Sequence, residues 1–294
     1  MSLVVVHAPS LKIAREGGEF DLTVEAEYGD SVVEGRLYTA AHHQRSGPYV
    51  GRHLAEGGRP SPCNDPGIPT LQSGRVLVSH IDLDTVGGVL RAHPDYRDLF
   101  VDAGFWNLAE FVDVNGAHKI AGAMAADADL KRIYAWWAYA KKMPRLSRDR
   151  EEEITQVIVD AGEALRLILA DDTEMNLAGE LFREKEARFN EATFVRQDGP
   201  VIVRVGEDFC NHLYATPSGV AARAVAALNT RLHSVTVSLA DPDQESFSCV
   251  EIVQKLWGPE AGGHKGIAGG PRGNPFSNQH LEEAVAELLL RFGV

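Results

Sequence analysis

The chain has 294 residues, enough for one large domain or two ordinary ones around a substantial core. Apolar residues make up 44% and charged residues 24%, a composition that excludes wholesale disorder. With 29 basic against 42 acidic side chains the net charge is −13, which argues against a long basic face and hence against extended nucleic acid as a partner. No apolar run approaches the roughly 18 residues that cross a bilayer, so no membrane span is expected. Cys63, Cys210 and Cys249 are widely spaced and form no Cys-x-x-Cys pair. That excludes a disulfide scaffold and a thiolate zinc site, and it fits a reducing cytoplasm.

In chain order, Met1 to His7 reads as a strand rather than a secretory leader. Residues 20–28 alternate apolar and polar side chains and predict a half-exposed strand, with 32–40 returning as its hairpin partner after the Gly29-Asp30 turn. Residues 44–74, rich in Gly, Pro and Ser, predict a long irregular connection. Val76-Leu77-Val78 is a continuous apolar run, as for a strand covered on both faces, and a helix follows Gly87-Gly88. Residues 109–113 read as a second, parallel strand ending on Asp113. The region 124–190 is helical; Ile154, Val157, Ile158, Ala161, Leu165, Ile168 and Leu169 trace one apolar stripe, and Trp136 and Trp137 sit in an earlier helix as core residues. Beyond a boundary near residue 195, strands are expected at 200–205, 233–239 and 247–253, with helices after Pro217 and at 278–292. The fold class is therefore α/β: a parallel-sheet N-terminal domain, a helical connector and a smaller C-terminal α/β domain.

Three clusters carry chemistry. His80, Asp82 and Asp84 alternate after an apolar strand, so all three can project from one strand end. One imidazole and two carboxylates there suit a divalent ion such as Mn²⁺ or Mg²⁺. Asp82 or Asp84 can equally cap the next helix, with His80 a solvated loop residue. Asp113 at the end of the neighbouring strand can share that crevice, with His118 turning in; the plain alternative is an Asn-Gly turn and a surface histidine. The third cluster, Ala261 to Gly273, embeds His264, Lys265 and Arg272 among glycines. Glycine-rich backbone can cradle an anion, and the three side chains add positive or donor groups. His42-His43 could add ligands but reads more simply as an exposed pair.

Taken together, these clusters resemble the DHH/DHHA1 phosphoesterases. Ala261-Gly262-Gly263-His264-Lys265-Gly266-Ile267-Ala268-Gly269 is similar to that family's Gly-Gly-Gly-His-x-x-Ala-Ala-Gly, and the likeness covers residues 75–294 in order. It implies a DHH-like metal-binding domain with connector over 75–195 and a DHHA1-like substrate domain over 196–294, with 1–74 as a hairpin and loop extension. It further implies His80, Asp82, Asp84, Asp113 and His118 as metal ligands, one or two Mn²⁺ ions, and catalytic roles for Asp84, Asp113 and His118. Gly262, Gly263, His264, Lys265 and Arg272 would bind the substrate, a small nucleotide or short oligonucleotide. Two departures stand out. One residue rather than three separates His80 from Asp82, and Asp113-Val-Asn-Gly-Ala-His118 replaces the family's Asp-His-His. Metal-dependent hydrolysis of a phosphoester is the favoured function, in the cytoplasm, with a homodimer left open. A hydrolase of a non-phosphate substrate and a non-catalytic nucleotide-binding protein are the alternatives.

Overall fold

Val4-Val5-Val6 is a β-branched run with no polar face, and it forms a strand inside a sheet rather than at its margin. A computed structural model describes residues 3–44, 46–52, 57–271 and 274–294. The chain separates into two compact units, Met1–Arg183 and Glu184–Val294. In the first, β1 (Leu3–His7) leads to α1 (Leu11–Glu16), β2 (Leu22–Val24), β3 (Glu27–Tyr28), β4 (Ser31–Val32), β5 (Tyr38–Ala40) and β6 (Gly74–Val78). Then come α2 (Leu83–Ala92), α3 (Ala103–Asn115), α4 (Asp127–Ala140), β7 (Glu152–Glu153), α5 (Thr155–Leu169) and α6 (Thr173–Thr193), which runs across the boundary. The sheet has the order β5-β2-β6-β1-β7. Its first four strands are mutually parallel and β7 is antiparallel to β1. The main core joins the sheet to α2, α3, α4 and α5, and a smaller cluster around Val6, Ala14, Phe20 and Leu77 closes the other face.

The expected hairpin of 20–28 with 32–40 is not formed. β2 and β5 run parallel, and only the short β3–β4 pair is a hairpin. Residues 3–40 thus supply three strands of the main sheet instead of an appended hairpin. Alternation misleads here because a central strand is covered on both faces: Thr23, the polar member between Leu22 and Val24, is as buried as they are. The strand expected at 109–113 is helical, part of α3. Asp102 caps α3 by accepting from Phe105 N, and Phe105, Trp106, Leu108 and Ala109 bury one face. A short apolar run does not distinguish a buried helix from a buried strand.

The helix expected after Gly87-Gly88 begins earlier, at Leu83, because Asp82 caps it, so both glycines lie inside α2, and the packing needs them there. A Cβ at Gly87 would lie 2.6 Å from Cys63 Cβ and 2.7 Å from the Trp106 ring; one at Gly88 would lie 2.7 Å from Pro62 and Val24 side-chain atoms. Gly→Ala within a helix ordinarily gains up to about 1 kcal/mol. Gly87→Ala should instead cost about 1–3 kcal/mol by overpacking, read as a fall in the urea unfolding midpoint. A raised midpoint would contradict the packing.

The second unit holds β8 (Phe194–Asp198), β9 (Val201–Gly206), β10 (Ala224–Asn229), β11 (Ser234–Leu239), α7 (Cys249–Trp257), β12 (Gly262–His264), β13 (Ile267–Gly269) and α8 (Asn278–Phe292). Its sheet runs β12-β13-β11-β10-β9-β8; β9 and β10 are parallel and the other pairs antiparallel. α7 and α8 cover one face. The chain is thus mixed α/β with parallel strands in both sheets. Two expected elements are corrected. The segment 247–253 is the start of α7, opened by a Ser248–Glu251 capping box, and β10 rather than a helix follows Pro217. The first unit ends at Arg183, ahead of the expected boundary at 195, where a strand begins within the second unit. No helix among the described residues is long and apolar enough to cross a membrane.

Candidate metal centre

Parallel strands deliver their following residues to one sheet edge, where α/β folds place ligands. Here β2 delivers Glu25, β5 delivers Ala41-His42-His43, and β6 delivers Ser79-His80 before α2 begins. Glu25 leaves β2 with φ of 49°, a left-handed conformation that is uncommon for a side-chain-bearing residue. Such outliers persist when the surroundings over-determine them, and they cluster at functional sites. The surroundings here are explicit. Glu25 N donates to Ala40 O at 2.8 Å, and the Ser79 hydroxyl donates to Glu25 O.

Glu25 is 1% exposed as a residue, and its two side-chain oxygens face two sets of partners. Oε1 lies 3.0 Å from His42 Nε2 and 2.7 Å from His43 Nε2. Oε2 lies 3.1 Å from His80 Nε2 and accepts from Thr85 Oγ1 at 2.8 Å. His42 Nε2 is also 3.3 Å from Asp113 Oδ2 and 3.6 Å from Asp84 Oδ2. Potential ligand atoms of Glu25, His42, His43 and Asp113 all fall within 4.8 Å of one another, and so do those of Glu25, His80 and Asp82. Asp84 Oδ1 accepts from Cys63 N at 2.8 Å, whereas Asp84 Oδ2 is buried with no hydrogen-bond partner among the described residues. An orphaned carboxylate oxygen beside imidazoles is the donor chemistry a divalent cation satisfies.

Electrostatics point the same way. Burial, then the neighbouring Glu25 and Asp113, hold the Asp84 carboxyl well above the usual carboxylate range. Burial, then Glu25, raises Asp113 as well. Burial opposes ionisation of Glu25 too, but hydrogen bonds from His42, His43 and His80 outweigh it and leave that carboxyl well below its ordinary value. Burial would lower the two outer imidazoles; contacts to Glu25 lift His43 to about 9, and contacts to Asp82 and Glu25 lift His80 to about 11. Charge-assisted pairing therefore holds together a cluster whose carboxylates crowd one another. Burial raises all three thiols, Cys249 to about 12, so none is poised as a thiolate nucleophile.

Of the residues expected from sequence, His80, Asp82, Asp84 and Asp113 converge here, by a different route. Of the four, only His80 follows directly from a strand end. β6 stops at Val78, Asp82 is the N-cap of α2, Asp84 lies in that helix's first turn, and Asp113 comes from α3. The capping reading of Asp82 is observed, since Oδ1 accepts from Thr85 N at 2.9 Å, while Oδ2 sits 3.2 Å from His80 Nε2. His118 falls in neither group of potential ligands among the described residues. α3 ends two residues after Asp113, and the His118 ring folds over Gly116, whose φ is 85°. His42 and Glu25 complete the set. The His-His pair is visible in the sequence but reads there as exposed, and Glu25 is hidden in the alternation of 20–28.

Gly262, Gly263 and His264 lie in β12, and Lys265 begins the turn to β13. A Cβ at Gly263 would come within 2.3 Å of Ile267 O, so this glycine is required by strand pairing. Lys265 Nζ is 3.8 Å from Asp243, and Arg272 lies outside the described residues.

No protein-family model matches the chain, and no curated protein matches it. A solved structure described as an uncharacterized protein from Helicobacter pylori G27 is similar at 13% identity. The match covers 74% of this chain and 68% of that one, with a TM-score of 0.24. At that level the likeness defines neither fold nor function.

Proposed function

We propose that this chain is a divalent-metal-dependent hydrolase, and specifically a phosphoesterase acting on a small nucleotide or short oligonucleotide. The observation that carries the reading is Glu25: one buried carboxylate presents its two oxygens to two sets of imidazoles and carboxylates. His42, His43 and Asp113 would hold an ion on one side of it, joined by Asp84 through the Oδ2 that lies 3.6 Å from His42 Nε2 and has no hydrogen-bond partner among the described residues, and His80 and Asp82 would hold one on the other. Mn²⁺ suits this mixed nitrogen and oxygen set. A divalent ion supplies Lewis-acid stabilisation of charge on phosphoryl oxygens and acidifies an attacking water. The chain's own groups orient that chemistry. Thr85 and Ser61 donate to Glu25 and Asp113, both at 2.8 Å, and fix the carboxylate planes.

The test uses Asp84→Asn and Asp113→Asn. An amide is a poor ligand for a hard cation, so each variant should lose most Mn²⁺ binding in a calorimetric titration, together with phosphodiester hydrolysis. The fold should survive, because the amide oxygen introduced by Asp84→Asn can still accept from Cys63 N. Unchanged Mn²⁺ affinity in both variants would sink the proposal. No Mn²⁺ binding in the wild type would favour a non-catalytic nucleotide-binding protein.

A further inference from the structure

Next to the centre, the first unit has a hollow of about 570 Å³. His7, Ser79 and His80, at the ends of β1 and β6, form one wall, and the segment from Ala140 to Arg148 after α4 forms the other. That segment brings Lys141, Arg145 and Arg148 to the rim. Several arginines among the described residues pair with carboxylates, yet Arg145 and Arg148 make no ion pair or hydrogen bond with the described residues. Lys141 only rests over the Phe182 ring at 5.9 Å. The nearby Glu152 is already engaged, accepting from Ser147 N at 2.9 Å and from Arg150 at 3.2 Å. His7, 4% exposed, contacts Ser79 O through Nε2, and its Nδ1 has no hydrogen-bond partner among the described residues. His80 belongs to both places: it lines the hollow and contacts Glu25.

We propose that Lys141, Arg145 and Arg148 form an anion subsite that holds a phosphate group of the substrate within the first unit. The sequence points for this role to the glycine hairpin around His264. The physical case is that three uncompensated cations line one concavity, while an overall charge of −13 would repel an anion elsewhere. Guanidinium groups also bind phosphate oxygens in pairs, with charge-assisted hydrogen bonds. A phosphate held there leaves the rest of the substrate beside His80. The subsite's place in catalysis rests on the metal-hydrolase reading, but its affinity for an anion does not.

The experiment titrates inorganic phosphate into the metal-free full-length chain by calorimetry, and Mn²⁺ in separate runs. Lys141→Gln/Arg145→Gln/Arg148→Gln should weaken phosphate binding at least tenfold, whereas Lys141→Arg, which keeps the charge and leaves both guanidinium forks in place, should retain most of it. Mn²⁺ affinity should be unchanged in both, and His264→Ala should leave phosphate binding unaltered. The proposal is overturned if wild type binds no phosphate, if the glutamine variant binds it as well as wild type, or if His264→Ala is what removes it. Phosphate binding that depends on the three cations, in a protein that takes up no Mn²⁺, would sustain the subsite and overturn the metal reading alone.

Discussion

Glu25→Gln should cost the protein its divalent-ion binding, with affinity for Mn²⁺ falling on the order of 100-fold or more. Removing even a residue that only orients a ligand costs about 10–100-fold, and in the proposed centre Glu25 would be a ligand shared by both sets. Glutamine keeps the shape and one oxygen but gives up the charge, and its NH₂ group can only donate. It would face either His42 and His43 or His80 and Thr85, and on either side it displaces an acceptor those groups now use. Glu25→Gly is the companion variant. The native φ of 49° costs a side-chain-bearing residue about 1–3 kcal/mol, and glycine relieves it. If Glu25→Gly lost ion binding while folding normally by circular dichroism, the strain would be serving the site. Retained Mn²⁺ affinity in Glu25→Gln would remove the basis for the metal centre.

The largest expected effect on stability lies in the second unit. Arg204, on β9, is fully buried, and its hydrogen bonds go to carbonyl, amide and hydroxyl oxygens rather than to a carboxylate. Its Nε donates to Leu213 O at 2.9 Å and its Nη2 to Ala215 O at 2.7 Å. Asn190 O and Oδ1 accept at 2.9 and 2.6 Å, and Thr193 Oγ1 at 3.1 Å. Burial lowers the guanidinium to about 10, so it stays charged at neutral pH. The side chain ties the end of α6 to the irregular segment before β10. Arg204→Met strands several buried carbonyl oxygens at once and should cost about 3–5 kcal/mol in chemical denaturation. Arg204→Lys should rescue little, because an ammonium cannot reproduce the planar fork. A loss below about 1 kcal/mol would show that the network contributes little to the net balance.

The fold is partly legible in the sequence, and the misses have a common cause. Long amphipathic segments are readable: the stripe from Ile154 to Leu169 is α5, and Leu281, Ala284, Val285 and Leu288 are the buried face of α8. Short apolar runs are not. Residues 109–113 and 247–253 read as strands and are helical, although Asp102 and the Ser248–Glu251 pair carry the capping signals. The alternation of 20–28 predicts one solvated face, but whether a strand is central depends on what later covers it. Burial of Thr23 and Glu25 is set by the parallel neighbours β5 and β6, far along the chain.

The site divides along similar lines. His80, Asp82, Asp84 and Asp113 are identifiable because chemistry-bearing residues stand close together in sequence. Glu25 and the His42-His43 pair join them only through strand order, which no local pattern encodes. His118 is suggested by its proximity to Asp113 in sequence, but the left-handed Gly116 takes the chain elsewhere.

The most direct measurement is the anomalous scattering of a crystal grown or soaked with MnCl₂ and recorded above the manganese edge. The expected result is a peak at coordination distance from Glu25, His42 Nε2, His43 Nε2 and Asp113, with a second at Glu25, His80 and Asp82 if two ions bind. A protein that takes up no manganese, or holds it only away from Glu25, would contradict the metal centre.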